Sequence, residues 1–222
     1  MAVKISIENL QAELDGSAGR KIFCEFLYHN FENSQELLKK FDKLTEIYLQ
    51  VLSIMNISAI KDVDGIYLKH YLDSVYPYKH FGGRCCDIGC GGGFPTIPLA
   101  IVTGLDITGV DSVGKKLLLL KRCVSELGLK NLKSEYARSE DLVKLDRKYD
   151  TVCARAVADV DKTLSYLAPL CTDGGKIVLY KTQNDSPAKQ STLDKYKVSL
   201  SEVSDYILPD TDINRRLFIY KK

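Results

Sequence analysis

A glycine-rich segment near the middle of the chain has the composition of a turn that holds a ligand against its backbone. Residues 86–95 read Cys-Asp-Ile-Gly-Cys-Gly-Gly-Gly-Phe-Pro and come at the end of the first predicted strand. Glycine permits a tight turn and lets a ligand approach closely, because no Cβ intervenes. In a doubly wound sheet this first turn lies outside the carboxyl ends of the strands, where cofactors bind. We therefore expect Gly89, Gly91 and Gly93 to contribute to a cofactor site.

One aspartate stands where a ribose-binding site needs an acid. Asp111 ends the next apolar run, about 22 residues after Gly89, close to the spacing of roughly 20 that ribose-binding carboxylates show. A carboxylate there can accept hydrogen bonds from both ribose hydroxyl groups. The alternative is an ordinary tight turn, with Asp111 capping the following helix. The two features together favour the ligand site.

The spacing of the glycines separates two classes of cofactor. A dinucleotide-binding turn has the pattern G-x-G-x-x-G, whose third glycine packs the helix closely against the sheet. That third position is Phe94 here, which argues against a nicotinamide-dependent dehydrogenase. The pattern that is present, D-x-G-x-G-x-G, is typical of methyltransferases that use S-adenosylmethionine. This cofactor has no pyrophosphate and needs room for a methionine tail beside the backbone.

The hydrophobic pattern changes near residue 80 and predicts two regions. Residues 1–80 have helical patterns, most clearly over residues 35–55, where apolar residues recur at steps of three and four, and these patterns predict a helical extension. From residue 81 to 222 short β-rich runs alternate with helical patterns, which predicts βαβ units. We expect the second region to be a doubly wound, Rossmann-like α/β domain of about seven mostly parallel strands with a C-terminal antiparallel hairpin, forming one unit with the helices before it.

The individual elements follow from the same periodicities. We expect Ser34 to be the N-cap of the longest helix. The predicted helices are Ile22–Phe31, Gln35–Met55, Ile66–Val75, Ile97–Val102, Gly114–Leu127 and Val160–Leu170. The predicted strands are Arg84–Ile88, Ile107–Val110, Leu132–Ala137, Thr151–Ala154, Lys176–Tyr180, Val198–Ile207 and Leu217–Tyr220.

The composition is that of an ordinary globular protein and excludes several classes. The net charge is only +2, so binding to nucleic acid would depend on a local basic patch. No apolar run approaches the roughly 20 residues of a membrane span, and the N-terminus lacks the pattern of a secretory signal, so we expect a cytoplasmic protein. The seven cysteines include no C-x-x-C pair, which predicts small buried side chains and no metal site.

The glycine turn belongs to a longer set of motifs that runs from about residue 45 to the C-terminus. Residues 69–74 read K-H-Y-L-D-S, residues 93–100 read G-F-P-T-I-P-L-A, and residues 155–158 read R-A-V-A. This combination resembles the bacterial 16S ribosomal RNA guanine-N7 methyltransferases, also called the glucose-inhibited division protein B family. Thr96 and Thr182 stand where members of that family commonly have glycine.

The resemblance implies transfer of a methyl group from S-adenosylmethionine to N7 of a guanine in small-subunit ribosomal RNA. Guanine N7 already carries a free lone pair, so the reaction needs no general base, and the sequence identifies none. Arg155 ends the fourth predicted strand, where it would contact the cofactor, position the guanine or simply lie at the sheet edge. The cofactor contacts that the resemblance implies are Gly89, Phe94, Ser139, Glu140 and Arg155.

The resemblance also marks candidates for contact with the RNA. His70, Asp73 and Ser74 are candidates for substrate binding or for packing the helices on the sheet, and Asp73 at i+3 could orient His70. Lysines usually form a solvated face, but the family match makes phosphate contacts reasonable. A basic cluster at the C-terminus, which includes Arg215, has only the solvated interpretation. The candidate phosphate contacts are Lys115, Lys116 and Lys181.

Three other functions stay open at this point. The first is a methyltransferase that acts on a small molecule or on another RNA. The second is a nicotinamide-dependent dehydrogenase, although Phe94 argues against it. The third is a non-catalytic RNA-binding module that keeps the fold but has no affinity for the cofactor.

Overall fold

A seven-stranded mixed sheet forms the centre of the computed structural model, which describes residues 9–222. The strands are β1 Cys85–Ile88, β2 Ile107–Asp111, β3 Leu132–Tyr136, β4 Tyr149–Arg155, β5 Cys171–Lys181, β6 Ser199–Ile207 and β7 Asn214–Lys221. Their order in the sheet is β3-β2-β1-β4-β5-β7-β6. The first five strands are parallel, whereas β7 lies antiparallel between β5 and the edge strand β6. The predicted fold class is confirmed.

Helices cover both faces of this sheet. One hydrophobic cluster joins the N-terminal helices to those that follow the glycine turn, and a second cluster fills the opposite face. Cys85 and Cys86, neighbours on β1, belong to different clusters because alternate strand residues point to opposite faces. The helices are α1 Leu10–Gly16, α2 Ala18–Asn30, α3 Ser34–Ile54, α4 Val63–Gly65, α5 Asp73–Val75, α6 Thr96–Thr103, α7 Leu118–Glu126, α8 Ser139–Lys144, α9 Val160–Leu167 and α10 Gln190–Tyr196.

The N-terminal helices pack on the sheet through the helices that cover it. Helix α3 contacts both α6 and α7, and its apolar stripe, predicted from the steps of three and four, is buried at Leu37, Phe41 and Leu44. Residues 1–8 of the predicted helical extension lie outside the described residues. The division of the chain at residue 80 stays a prediction. No helix in residues 9–222 is both long enough and apolar enough for a membrane span.

The strand order places a crevice at the carboxyl ends of β1 and β4. From β1 the chain adds β2 and β3 on one side and then returns to add β4 and β5 on the other. Such a reversal leaves a gap between two neighbouring crossover connections, and ligands bind there in open α/β sheets. The glycine turn follows β1 and Arg155 ends β4, so the fold brings both to this crevice.

Two local predictions differ from the structure. Asn33, rather than Ser34, is the N-cap of α3, because the Asn33 carbonyl already accepts the first helical hydrogen bond, from Leu37 N at 3.1 Å. The predicted helix Ile66–Val75 contains a π-helical segment, Ile66–Leu72, between α4 and α5. The predicted helices also do not include α1, α8 and α10, of which α10 buries no residue and carries no apolar stripe.

Candidate active site

The glycine turn is fixed by hydrogen bonds to the end of β2. Gly89 N and Cys90 N both donate to Val110 O, at 2.8 and 3.0 Å. Gly89 has φ +75°, a left-handed conformation that a side chain disfavours. A Cβ at this position would lie 3.0 Å from a methyl group of Val157, which follows β4. The Gly89 backbone therefore borders a narrow gap between the first and fourth strands.

The other predicted turn residues serve the packing of the turn. Gly91 N donates to Asp111 Oδ2 at 2.9 Å. A Cβ at Gly93 would overlap the side chains of Ile97 and Leu120, so this glycine lets α6 and α7 approach closely. Phe94 is buried beside the N-terminal helices. These three residues support the crevice but do not line the cavity described next.

The acid that opens the glycine pattern is also structural. Asp87 is buried on β1, and its Oδ2 accepts a hydrogen bond from Thr96 Oγ1 at 2.5 Å. Burial raises the pKa of Asp87 to about 6. Thr96, which stands where the resembled family commonly has glycine, thus fastens the start of α6 to the first strand.

A first cavity, of about 400 Å³, lies at the carboxyl ends of the first four strands. It is lined by the Gly89 backbone, by the end of β2 at Asp111 and by the start of α8. Tyr166 of α9 also lines it, and no sequence motif pointed to that residue. We call this space the turn cavity. Its lining residues are Ile88, Gly89, Val110, Asp111, Ser112, Val113, Lys116, Ala137, Arg138, Ser139, Glu140, Ala156, Val157 and Tyr166.

Asp111 in the turn cavity combines both roles considered for it. Its Oδ1 accepts from Val113 N at 2.8 Å, just before a short 3-10 helix, and its Oδ2 accepts from Gly91 N. Lys116 Nζ lies 3.9 Å from Oδ2. Each carboxylate oxygen has a further lone pair, so Asp111 can tie the turn together and still accept a hydroxyl hydrogen from a ligand.

Ser139 and Glu140 meet the turn cavity at the first turn of α8. Ser139 is buried, and its hydroxyl donates to Glu140 Oε2 at 3.1 Å. The acidic side chain near the helix N-terminus is favourable whether or not a ligand binds. Both predicted residues are therefore brought together with Gly89 and Asp111.

A second cavity, of about 490 Å³, shares one wall with the first. Ala156 and Val157, directly after β4, line both cavities. Ala156 has φ +56°, a left-handed conformation that costs energy for a residue with a side chain and is frequent at functional sites. We call this space the arginine cavity. It is lined by Ile60, Lys69, His70, Asp73, Arg155, Ala156, Val157, Tyr180, Lys181, Thr182, Asp185 and Arg215.

Arg155 lies in the arginine cavity and not in the turn cavity, where the resemblance implied a cofactor contact. One guanidinium nitrogen donates to Asp73 Oδ2 and to Ser74 Oγ, both at 3.4 Å, and to Lys69 O at 3.3 Å. The other nitrogen lies 3.4 Å from His70 Nδ1. These contacts are all long, so the guanidinium is positioned by its neighbours but retains donor capacity for a ligand.

His70 is a neutral, buried histidine that helps to hold Arg155. Burial, and then the charge of Arg155, lower the pKa of His70 to about 3. A guanidinium can only donate, so Nδ1 of His70 accepts and the ring proton is on Nε2, which faces Ser58 Oγ at 3.0 Å. The ring stacks on Phe94, with centroids 4.2 Å apart and planes 6° from parallel.

The prediction that Asp73 orients His70 is wrong. The Asp73 carboxylate accepts from Arg155 and, at 2.8 Å, from Arg215 Nε, and no hydrogen bond in residues 9–222 joins it to His70. The π-helical segment changes the angular spacing of side chains on the helix, so the i+3 relation expected for an α-helix does not apply. Asp73 instead pairs with two cations that lie far away in sequence.

The three candidate lysines have different surroundings. Lys181 is buried, and its Nζ donates to Ala158 O at 2.6 Å and Val157 O at 3.3 Å, so it fastens the wall that the two cavities share. Lys116 is exposed at the mouth of the turn cavity. Lys115 is exposed and lines neither cavity. The cysteines are free, and all but Cys24 are buried.

Sequence reasoning missed several residues of the arginine cavity. Arg215 was interpreted as part of a solvated cluster, and Asp185 lies in a polar loop after β5 with no motif of its own. The basic cluster was the available signal for Arg215, but only the antiparallel pairing of β5 with β7 brings it beside Asp73. No group of three or more potential metal ligands is present in the described part of the chain.

Comparison with known proteins assigns this chain to a family. The family model described as rRNA small subunit methyltransferase G matches residues 37–218. The chain belongs to this family, named GidB. A ribosomal RNA small subunit methyltransferase G of Lactobacillus johnsonii is 34% identical over 215 residues, which cover 89% of this chain and 88% of the relative. A protein of the same name from Staphylococcus aureus is 31% identical, with 87% and 85% covered.

Solved structures show the fold of this GidB-family chain in proteins of different activities. A precorrin-6y C5,15-methyltransferase of Geobacter metallireducens has a TM-score of 0.51 at 13% identity and covers 67% of this chain and 85% of its own. The [4+2]-cyclase SpnF has a TM-score of 0.53 at 13% identity, with 67% and 79% covered. The fold alone therefore does not determine the reaction, and the residues of the site must be considered.

Proposed function

We propose that this GidB-family chain transfers the methyl group of S-adenosylmethionine to N7 of a guanine in small-subunit ribosomal RNA. The observation that carries the proposal is the pair of adjoining cavities with a common wall at Ala156 and Val157. One cavity has the groups that a nucleoside cofactor requires, and the other has the cations and polar groups that a base requires. Family membership supplies the substrate class, and this substrate implies a cytoplasmic location.

The turn cavity fits S-adenosylmethionine. The Asp111 carboxylate has lone pairs for ribose hydroxyls, and Ser139 and Glu140 can read the edge of an adenine. Gly89 offers a backbone without a Cβ, beside which a methionine tail can pass. When bound, the cofactor supplies a methyl group on a positively charged sulfur. Three predicted residues of the turn do not line the cavity and act by holding the turn in place. They are Gly91, Gly93 and Phe94.

The arginine cavity fits the target guanine. Arg155 retains donor capacity, and Lys181 fixes the wall between the cavities, so we assign both to positioning the base rather than to proton transfer. To reach this cavity from a folded RNA, the base must be presented from a single strand or flipped out of its stack. Ser74, His70 and Asp73 act on the substrate indirectly, through Arg155.

The surroundings of His70 agree with a reaction that has no general base. Its Nδ1 faces Arg155 and its Nε2 faces Ser58, so neither ring nitrogen is available to take a proton from a substrate. Guanine N7 attacks with a lone pair and releases no proton in the step. Catalysis then rests on alignment of the attacking atom and on exclusion of water from the charged cofactor.

The exposed lysines at and beside the mouth of the turn cavity provide phosphate contacts. Lys116 lies at this mouth, and Lys115 precedes it on the same surface. Because phosphate contacts carry no base information, their loss weakens RNA binding and its dependence on salt without changing which guanine is methylated.

Methylation of ribosomal subunits tests the proposal. Purified protein and labelled S-adenosylmethionine are mixed with small subunits from a strain that lacks the gene, with free ribosomal RNA and with a pool of metabolites. We expect label in one guanine of the small-subunit RNA, located at N7 by mass mapping. Transfer to metabolites alone, or tight binding of NAD without binding of S-adenosylmethionine, would overturn the proposal.

A further inference from the structure

The arginine cavity is lined by two carboxylates, and they differ in the capacity that they retain for a ligand. Asp73 is buried, and its oxygens accept from Arg155 and Arg215. Asp185 lies on the loop after β5 and is half-buried. Within residues 9–222, the cation that lies within 4 Å of its Oδ1 is Lys181 Nζ, at 3.9 Å. Asp185 is therefore the carboxylate that a base in this cavity can engage.

The position of Asp185 is fixed by its own loop. Its Oδ2 accepts from Thr182 N at 2.9 Å and from Thr182 Oγ1 at 2.8 Å. Its backbone N–H donates to Thr182 O at 3.0 Å, and Arg216 donates to its backbone carbonyl at 3.1 Å. These bonds occupy one carboxylate oxygen and the backbone, while Oδ1 accepts no hydrogen bond within residues 9–222. A carboxylate held in this way is preorganised for recognition.

Asp185 is also an acceptor only. Partial burial raises its pKa, but the Thr182 donors and the charges of Lys181 and Arg216 lower it more, so the pKa of this carboxyl lies below its ordinary value. The group is ionised at neutral pH and can bind hydrogen-bond donors but cannot donate. It selects for a ligand edge that carries N–H groups.

Attack by N7 restricts how the enzyme can read a guanine. Arginine often recognises guanine through O6 and N7 together, but here N7 must stay free to react. Besides the acceptor O6, the remaining distinctive groups are the N1–H and the 2-amino group, both donors on the Watson–Crick edge. Enzymes that bind a flipped base commonly read it at this edge.

We propose that Asp185 is the specificity-determining residue, whose Oδ1 accepts the hydrogen bonds from the N1–H and 2-amino groups of the target guanine. This inference rests on the proposed function. Adenine has no 2-amino group and carries an acceptor at N1. It would leave the Asp185 carboxylate without a donor, and the lone pair on N1 would repel the carboxylate. A site with a polar group that the wrong base leaves unpaired rejects that base strongly.

The first experiment compares guanine with inosine, which lacks only the 2-amino group. Small-subunit RNA is ligated around a synthetic segment that carries either base at the mapped methylation position, and transfer is measured in single turnovers. We expect wild-type protein to prefer guanine by roughly tenfold or more. Equal rates on the two RNAs would overturn the inference without any variant.

The second experiment repeats the comparison with Asp185→Asn. Asparagine keeps an oxygen for Thr182 but presents an amide N–H₂ where the carboxylate accepted. We expect transfer to guanine to fall roughly ten- to a hundredfold and the preference over inosine to fall towards one. A variant that is slower on both bases but keeps the wild-type preference would show that Asp185 only supports the loop, and would overturn the inference.

A matched control removes an acid of helix α9 that holds the other end of the same loop. Asp161 Oδ1 accepts from Lys189 N at 3.0 Å, and Asp161 lines neither cavity. Asp161→Asn should keep the wild-type preference for guanine. The two proposals fail in distinguishable ways. Wild-type protein that transfers no methyl group to guanine N7 contradicts the proposed function, whereas transfer without Asp185-dependent discrimination contradicts this inference alone.

Discussion

The two adjoining cavities differ in the parts of the chain that form their walls. The turn cavity consists of strand ends and backbone turns, with Asp111 tied into the turn that it serves. The arginine cavity consists of side chains from separate segments, held by cations around Asp73. The shape of a cavity walled by backbone turns depends on backbone conformations that few residue types adopt readily. A cavity made of side chains depends on charge pairs across the fold, and a change in either cavity should leave the other largely intact.

The largest expected effect comes from filling the gap beside the glycine turn. In Gly89→Val the new side chain would meet Val157 and block the space for a methionine tail. We expect affinity for S-adenosylmethionine to fall by roughly a thousandfold, or about 4 kcal/mol, by calorimetric titration of a protein that remains folded. Gly104→Val is the control for backbone strain. Gly104 has a positive φ like Gly89, here +67°, but nothing lies within 4 Å of its Cβ position. Full affinity in Gly89→Val would contradict the assignment.

Substitution of Arg155 tests the separation of the cavities. Because Arg155 lines only the arginine cavity, Arg155→Ala should reduce methyl transfer to RNA by roughly a hundredfold through misplacement of the base, while the dissociation constant of S-adenosylmethionine stays within about twofold. Arg155→Lys should restore little, since lysine lacks the planar fork. A comparable loss of cofactor affinity would instead support the cofactor contact that the family resemblance implied.

Asp73 tests the charge pairs themselves. Asp73→Asn leaves Arg155 and Arg215 without their shared carboxylate. Breaking a buried pair costs about 3 to 5 kcal/mol, and we expect roughly 2 to 3 here because the arginines are partly exposed. Urea unfolding measures this loss, and calorimetry should show unchanged cofactor affinity. A stable variant would mean that water replaces the carboxylate adequately.

The smallest expected effect is the pH dependence due to His70. Its pKa is about 3 in the folded protein, against 6.5 for a free histidine, so protons favour the unfolded chain. The contribution of neutral His70 to the free energy of unfolding is complete above about pH 6.5 and is lost as the pH falls towards 3. At pH 5 the loss is about 2 kcal/mol. Urea unfolding of His70→Phe, which keeps a ring on Phe94, should show a smaller fall between pH 8 and pH 5. Equal falls in both proteins would contradict the neutral, buried state.

Several residues that the sequence singled out lie together in the turn cavity, because the determinants of this cavity are local. Gly89, Gly91 and Gly93 adopt positive φ, and glycine is the residue that takes this conformation most readily, so the turn is visible in the sequence. Asp111 stands at a spacing set by one crossover connection, and Ser139 follows the next strand. Each of these positions depends on a strand, a turn and a helix that are contiguous in the chain, so periodicity and motif spacing suffice.

The arginine cavity could not be predicted in the same way. Asp73 seemed to serve His70 because the two are neighbours on a helix, but a π-helical segment changed their spacing and two distant arginines took the carboxylate. Arg215 is 142 positions from Asp73, and nothing local marks it as a partner. Asp185 is an ordinary polar loop residue until the fold places it in the cavity.

The sequence by itself determined the doubly wound sheet, the turn after its first strand and the carboxylate at the end of its second, because alternating apolar periods and glycine conformations act over short stretches. The tertiary structure alone decided that Arg155 lies with Asp73, His70 and Arg215, apart from the turn cavity. Charge pairing of this kind depends on distance in space, and the antiparallel insertion of β7 beside β5 sets that distance.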